Sequence, residues 1–225
     1  MHRFYIPNLM EVDKEMHLSE EESRHCIKVL RLQTGDSITL INGKGILAEA
    51  EIINNNFKKC EVLIRNITSF PKTRDIHIAV CPTKNMDRIE WLIEKGVELG
   101  LTRISFLTAF NSERSQIKME RLEKIAVSAM KQSKRYYSIQ LDSILKFKEF
   151  ILENPKGFIA HCEKGKKTNA FQGIKHGPIV IGPEGDFTKD EINFALENGY
   201  SSLHFGDYIL RTETAALAAI FSLLK

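Results

Sequence analysis

Residues 181–187 read Ile-Gly-Pro-Glu-Gly-Asp-Phe, after the apolar run Pro178-Ile179-Val180-Ile181 and before Thr188-Lys189-Asp190-Glu191. The apolar run reads as a buried strand. Thr188 and Glu191, three residues apart, carry the capping-box signature of a helix start, with Ile192, Ala195 and Leu196 facing inward and Gly199 as the stop. Strand, glycine-bearing loop and helix in that order are the repeating unit of an α/β fold built on a mostly parallel sheet. Ligands of such sheets lie at the carboxyl ends of the strands. Glycines there let a ligand approach the main chain, but the carboxylates of Glu184 and Asp186 would repel a phosphate. The loop suits a ligand that is not an anion.

The same alternation extends to both sides. Residues 76–80 are an apolar strand, 86–98 a helix with Ile89, Leu92, Ile93 and Val97 on one face, and 103–107 the next strand. Over 119–135, Leu122, Ile125, Ala126, Ala129 and Met130 keep the spacing of a buried helical stripe. Residues 157–160 are a further strand. The chain ends in Ala215-Ala216-Leu217-Ala218-Ala219-Ile220-Phe221, apolar on nearly every side, as in a helix that is buried or lies at a subunit interface.

Before residue 70 the pattern is different. Residues 37–41 and 46–52 flank Asn42-Gly43-Lys44-Gly45, a hairpin signal, and 60–64 alternate as another strand. With one helix-like insert over 19–32, this suggests a small β-barrel of residues 1–70, followed by an α/β domain over 74–225. Gly43 to Ala48 fits a dinucleotide-binding pattern, but the residues after it alternate as a strand, so it reads as a hairpin turn.

Hydrophobic residues make up 43% and charged residues 27% of the 225, as in ordinary globular proteins. No apolar run approaches the ~18 residues needed to cross a bilayer, and the N-terminus lacks a signal-peptide core, so a cytoplasmic protein without a membrane partner is expected. The four cysteines are scattered with no metal-ligand spacing, and no metal is expected. The net charge of +3 is small but unevenly spread. Residues 114–135 hold seven basic residues against two acidic ones, whereas 184–213 hold seven acidic against two basic. A polyanionic partner on one side and a cationic or neutral ligand on the other fit this asymmetry, as do a solvated helix face and ordinary surface acids.

Three loops follow strands of the second domain: Ala160-His161-Cys162-Glu163, Gly182-Pro183-Glu184-Gly185, and 205–214 with Phe205, Gly206, Ile209, Leu210 and Arg211. No Walker lysine or glycine-rich phosphate motif follows a strand. Main-chain groups, apolar side chains and carboxylates together suit a flat heterocycle carrying a cation. S-adenosylmethionine is such a molecule and has no phosphate; structural turns would satisfy the same pattern.

Taken together, R-H-C-I-K-V-L-R-L-Q-T-G-D (24–36), E-K-G-V-E-L-G (94–100), E-R-S (113–115), K-Q-S-K-R (131–135), I-G-P-E-G-D-F (181–187) and G-D-Y-I-L-R-T-E-T-A (206–215) resemble the bacterial 16S ribosomal RNA uridine N3-methyltransferase family of the SPOUT superfamily. The resemblance runs nearly end to end. It implies an N-terminal PUA-like RNA-binding β-barrel, a C-terminal SPOUT α/β domain with a trefoil knot, and a homodimer. It also implies S-adenosyl-L-methionine as cofactor and 16S ribosomal RNA, or the small ribosomal subunit, as the partner methylated at a uridine N3 in the decoding region. In that reading His161, Ile181, Gly182, Pro183, Glu184, Gly185, Phe205, Gly206, Ile209, Leu210, Thr214 and Ala215 hold the cofactor. Arg211 stabilises the uracil anion, and Glu184 or Glu213 takes the proton. Glu184 has two other readings, orienting Arg211 or capping a neighbouring amide. Arg24, Lys28, Arg31, Arg114, Lys131 and Arg135 are the RNA-contact candidates. Another SPOUT activity, such as ribose 2′-O-methylation, and a non-catalytic ribosome-assembly binder are the alternatives. The chain departs from the family's usual pattern at Asp186, where a third glycine is common, and at Tyr136-Tyr137-Ser138, where a proline is common.

Overall fold

Asn42 shapes the hairpin expected at 42–45. Its side-chain oxygen accepts the N–H groups of Lys44 and Ile46 at 2.8 and 3.0 Å, which closes the turn between β3 (Ser37–Ile41) and β4 (Ile46–Asn54). The computed structural model describes residues 2–9, 12–72, 74–172, 174 and 177–224. They form two compact units, one of Met1–Thr73 with Val127–Ser138, the other of Arg74–Ala126 with Ile139–Lys225. Thr73, in the expected boundary, lies outside the described residues.

In the first unit β1 (Arg3–Tyr5), β2 (Glu15–His17) and β5 (Glu61–Ser69) join the hairpin in one five-stranded sheet of order β1-β3-β4-β5-β2. Alternate residues of these strands, among them Ile38, Leu40, Ala48, Ile52, Val62 and Ile64, meet Phe4, Leu18 and Cys26 in a single core. Each fully buried Ile, Leu or Phe contributes roughly 1.5–3 kcal/mol. The two end strands do not pair among the described residues, so the sheet is a half-barrel. The insert expected as one helix over 19–32 is split. A five-residue α1 (Glu20–Arg24) is capped by Ser19, then a π turn over His25–Val29 carries Cys26 into the core, and Arg31 ends it at φ +56°.

Residues 127–138 complete this unit. The Tyr136 ring stacks on Phe70 at 3.8 Å, the Tyr137 hydroxyl donates to the Phe70 carbonyl, and Ser138 donates twice to the Gly43 carbonyl. Tyr136 and Tyr137 thus pack against Phe70, just past the end of β5 and beside the hairpin.

In the second unit the order is β6 (His77–Val80), α2 (Met86–Leu99), β7 (Arg103–Thr108), the start of α3 (Met119–Gln132), β8 (Gln140–Lys146), α4 (Phe147–Glu153), β9 (Phe158–Ala160), β10 (Thr168–Asn169), β11 (Ile179–Ile181), α5 (Lys189–Glu197), β12 (Ser201–His204) and α6 (Thr212–Ser222). All strands run parallel, in the order β10-β12-β9-β11-β6-β7-β8. The chain builds β6, β7 and β8 outward in turn, then lays down β9 and the edge strand β10 before returning to insert β11 between β9 and β6, so the order reverses between β6 and β11. Ala79 and Val180 join the core under α4 and α5. Their neighbours Ile78, Val80, Ile179 and Ile181 alternate to the opposite face, where α6 crosses β6 and β11 and packs on α2. Gly96 sets that helix spacing, since a Cβ there would stand 2.9 Å from Leu101 and 3.3 Å from Ile220. The apolar terminal helix is therefore largely covered within the chain, with Phe221 left half-exposed.

Toward the amino ends of β6, β7 and β8 lies a polar chain. Arg103 and Ser105 both donate to Asp142, at 2.7 and 2.5 Å, and His77 Nε2 lies 2.8 Å from Ser105 Oγ. Burial tends to raise the Asp142 carboxyl, but the hydrogen bonds from Ser105, Arg103 and Gln140 outweigh it and hold it below the ordinary range. Because the Ser105 proton is given to Asp142, His77 donates to Ser105 and stays neutral; burial, aided by Arg103, pushes it down to about 4. The unfolded chain binds a proton at this histidine near pH 6.5 and the folded protein does not. Its contribution is therefore full above pH 6.5 and lost as pH falls toward 4. Urea denaturation at pH 7 and pH 4.5 should show a stability loss in this window on the order of 1–3 kcal/mol, and His77→Gln should reduce that pH dependence. An equal pH dependence in the variant would refute the assignment.

Candidate active site

Beyond the carboxyl ends of β9, β11 and β12 the three glycine-bearing loops converge on one cavity of about 830 Å3. That size falls within the ~300–1,000 Å3 of small-molecule sites. Its walls are Ala160 to Gly165 with Lys167, then Ile181 to Glu184 with Asp186, and Leu203 to Thr212 with Ala215; Arg88 comes from α2. The position follows from topology, because the strand order reverses beside β11 and the loops there diverge.

Asp186 fixes the middle loop. It sits at φ +59°, in the left-handed region that favours glycine and that aspartate tolerates better than most residues. Its Oδ2 accepts the Cys162 N–H at 2.8 Å and its Oδ1 accepts the Phe187 N–H at 2.8 Å, so one carboxylate ties the β9 loop to the β11 loop. From the outer side Asn111 donates to the carbonyls of Gly185 and Asp186, both at 3.0 Å. The third loop is joined by Thr212, whose hydroxyl donates to the Gly182 carbonyl at 3.1 Å.

His161 lines the cavity and its Nε2 lies 2.9 Å from Ser202 Oγ. Burial, with Lys167 nearby, lowers its pKa, so it is neutral at pH 7. Its Nδ1 is removed from solvent and has no hydrogen-bond partner among the described residues, a deficit that a bound ligand would relieve. Ile181, Leu203, Leu210 and Ala215 supply apolar wall, and Glu163, Glu184, Asp186 and Asp207 supply negative charge. Arg88, Lys164, Lys167 and Arg211 supply an equal number of positive charges, and an adenine with a sulfonium fits the apolar wall and the carboxylates.

Of the expected cofactor residues, His161, Ile181, Gly182, Pro183, Glu184, Phe205, Gly206, Ile209, Leu210 and Ala215 line the cavity, whereas Gly185 and Thr214 do not. A Cβ on Gly185 would meet Asn111 at 3.0 Å, so that glycine gives room to the clamp on the loop's outer side. Glu184 accepts the Lys84 N–H at 3.1 Å, the amide-capping reading, and its Oε2 has no partner among the described residues. Glu213 is almost wholly buried, 3.7 Å from Arg88, and outside the cavity wall. Arg211 is exposed on the rim and makes no ion pair among the described residues.

The RNA-contact candidates divide. Arg114 donates to the carbonyls of Thr83 and Lys84, so it holds a loop. Half-buried Lys131 pairs with buried Glu22 at 2.7 Å, and Glu22 also accepts the Tyr5 N–H. Burial lowers the Arg135 pKa. Arg24 and Arg31 are exposed, Arg24 beside Glu20, and the Lys28 ammonium stands 4.6 Å from the Phe57 ring centre. Sequence reading missed Arg88, Lys164, Lys167 and Asp186 as wall residues; only the glycine-to-aspartate departure at 186 signalled one of them.

A family model described as an RNA methyltransferase domain matches residues 70–224. The chain belongs to that RNA methyltransferase family. A second model, an RNA methyltransferase PUA domain, matches residues 18–65, over the half-barrel. A probable rRNA-methyltransferase from Porphyromonas gingivalis is similar at 36% identity and TM-score 0.90, over 98% of this chain and 96% of that one. The ribosomal RNA small subunit methyltransferase E from Neisseria gonorrhoeae, solved bound to S-adenosyl methionine, is similar at 30% identity and TM-score 0.84, over 99% and 96%. The Bacillus subtilis protein of the same name is 29% identical over 245 residues, covering 98% of this chain and 94% of its own. No helix among the described residues is long and apolar enough to cross a membrane, and no group of three or more His, Cys, Asp or Glu among them could hold a metal ion.

If Asp186 holds the cavity open, Asp186→Ala loses two hydrogen bonds and keeps an unfavourable φ. Cofactor affinity measured by calorimetry should fall about ten-fold or more, at roughly 1 kcal/mol per hydrogen bond, while the melting temperature changes little. Asp186→Gly, which relieves φ but not the lost bonds, should recover only part. Unchanged affinity in Asp186→Ala would show that the tie is dispensable.

Proposed function

We propose that the chain uses S-adenosyl-L-methionine to methylate N3 of a uridine in the decoding region of 16S ribosomal RNA. The observation that carries this reading is the convergence of the three loops on one cavity with an apolar wall and carboxylates, lined also by Arg211, which has no ion-pair partner among the described residues. The relatives named above supply the RNA class and the cofactor. The cofactor brings an electrophilic methyl group; binding, alignment and proton removal fall to the protein.

Uracil N3 carries a proton, and its lone pair is tied up in the imide. Arg211, which has no ion-pair partner among the described residues, can donate to a uracil carbonyl and stabilise the anion that forms when the proton leaves. Glu184 lines the cavity with one oxygen uncommitted and is the better proton acceptor of the two candidates, because Glu213 is buried against Arg88. The half-barrel takes RNA through its exposed cations Arg24, Lys28 and Arg31, and residues 1–70 and 74–225 act as RNA-binding and catalytic domains. The knot that the resemblance implies belongs to this reading too. So does a cytoplasmic location, where ribosomal RNA is found.

A two-fold dimer is also proposed, with half-exposed Phe221 of α6 and Trp91 of α2 at or near its interface. Sedimentation at micromolar concentration should give the dimer mass; a monomer mass would sink this part. For catalysis, Arg211→Lys keeps the charge and loses the planar fork. Losing one charge-assisted hydrogen bond, roughly 1.5–3 kcal/mol, should slow single-turnover methyl transfer about ten- to a hundred-fold. Cofactor affinity should hold, and the defect should shrink as pH rises and uracil ionises without help. A pH-independent defect with a lowered melting temperature and weaker cofactor binding would instead make Arg211 a structural clamp.

A further inference from the structure

Of the four lysines and arginines on the cavity wall, two are engaged within the protein. Arg88 lies 3.7 Å from Glu213, and Lys167 donates to the His161 carbonyl at 2.6 Å. Just outside, Lys84 pairs with Glu113 at 3.0 Å and Arg114 holds the carbonyls of Thr83 and Lys84. Lys164 and Lys166 differ. Both are exposed, and neither has a hydrogen-bond or ion-pair partner among the described residues. They flank Gly165, which stands at φ +149° with open space where a Cβ would be. The Lys167–His161 bond closes the base of this turn, so the two free ammonium groups are carried on a loop anchored to the cavity wall. Lys164 itself lines the cavity and Lys166 does not.

The wall carboxylates Glu163, Glu184, Asp186 and Asp207 are matched in number by Arg88, Lys164, Lys167 and Arg211, so phosphate is drawn to those cations left unengaged. A nucleotide whose base enters the cavity sets its backbone phosphates at the mouth. The unengaged cations met there are Arg211 on one loop and Lys164 with its neighbour Lys166 on another. We propose that the 163–167 loop is a phosphate-binding element that seats the RNA strand on either side of the target nucleotide. This rests on the RNA methyltransferase reading of the cavity and adds to it a contact on the catalytic unit, separate from the cations of the half-barrel. A cofactor role fits less well, because Lys166 lies off the cavity wall.

The test is the double variant Lys164→Ala, Lys166→Ala. Cofactor binding is followed by calorimetry, and binding of purified small ribosomal subunits is followed as a function of salt. Each single-strand phosphate contact contributes a slope of about −0.7 in log affinity against log salt. The variant should therefore show a slope shallower by roughly 0.7–1.4 and subunit affinity about three- to ten-fold lower near physiological salt, with cofactor affinity unchanged. A Lys→Arg version of the pair should restore both. Wild-type slope and affinity would overturn the proposal. Weakened cofactor binding with unaltered subunit binding would overturn it too, by assigning the loop to the cofactor's carboxylate. The salt slope reads the loop whichever RNA atom is methylated, so the loop and the uridine reading can fail separately.

Discussion

One carboxylate ties two loops of the cavity together. Asp186 stands in a left-handed turn, accepts one amide from its own loop and one from the loop after β9, and so converts two independent connections into one wall. The parallel sheet makes such a tie possible. Its strands β9 and β11 are hydrogen-bonded neighbours, and the carboxylate carries their pairing on into the loops beyond their carboxyl ends. Thr212 performs the same service between the start of α6 and the β11 loop. Both ties are single hydrogen bonds of ordinary length, each worth about 1 kcal/mol. The cavity is therefore preformed yet inexpensive to deform, as a site that must admit and release a cofactor requires.

Charge is divided with equal economy. The cavity wall carries four carboxylates and four lysine or arginine cations, and two of those cations are engaged within the protein. Arg88 is held by buried Glu213 and Lys167 by the His161 carbonyl. Among the described residues Arg211, Lys164 and Lys166 have no such partner. The positive charge left for a polyanion is thus carried on two exposed loops. Of the wall carboxylates, Glu184 has one oxygen fixing the Lys84 amide and the other uncommitted.

The strands and helices with strong periodicity were legible in the sequence: the hairpin at 42–45, α2, α5 with its capping box, and the glycine-bearing loops. β8 and α4 were not, because Gln140–Lys146 alternates poorly and Phe147–Glu153 is too short to show a helical stripe. Site residues contributed by loop main chain and glycine were found from their place after strands. Those whose role depends on a distant partner were not. Lys131 and Arg114 look on paper like two more cations of a basic helix face and its approach. Only the fold reveals that one meets Glu22 and the other two carbonyls. Asp186 lies between these cases, since the sequence flags a departure from glycine and geometry alone explains how aspartate meets the same backbone demand.

The central claim is that this cavity presents an activated methyl group to a uracil nitrogen. Small ribosomal subunits lacking the modification can be incubated with the protein and methyl-labelled S-adenosylmethionine, and the 16S ribosomal RNA then digested to nucleosides for mass spectrometry. The account predicts label in 3-methyluridine, close to one per subunit. Label in a 2′-O-methylated nucleoside, or none with a protein that binds the cofactor, would contradict it.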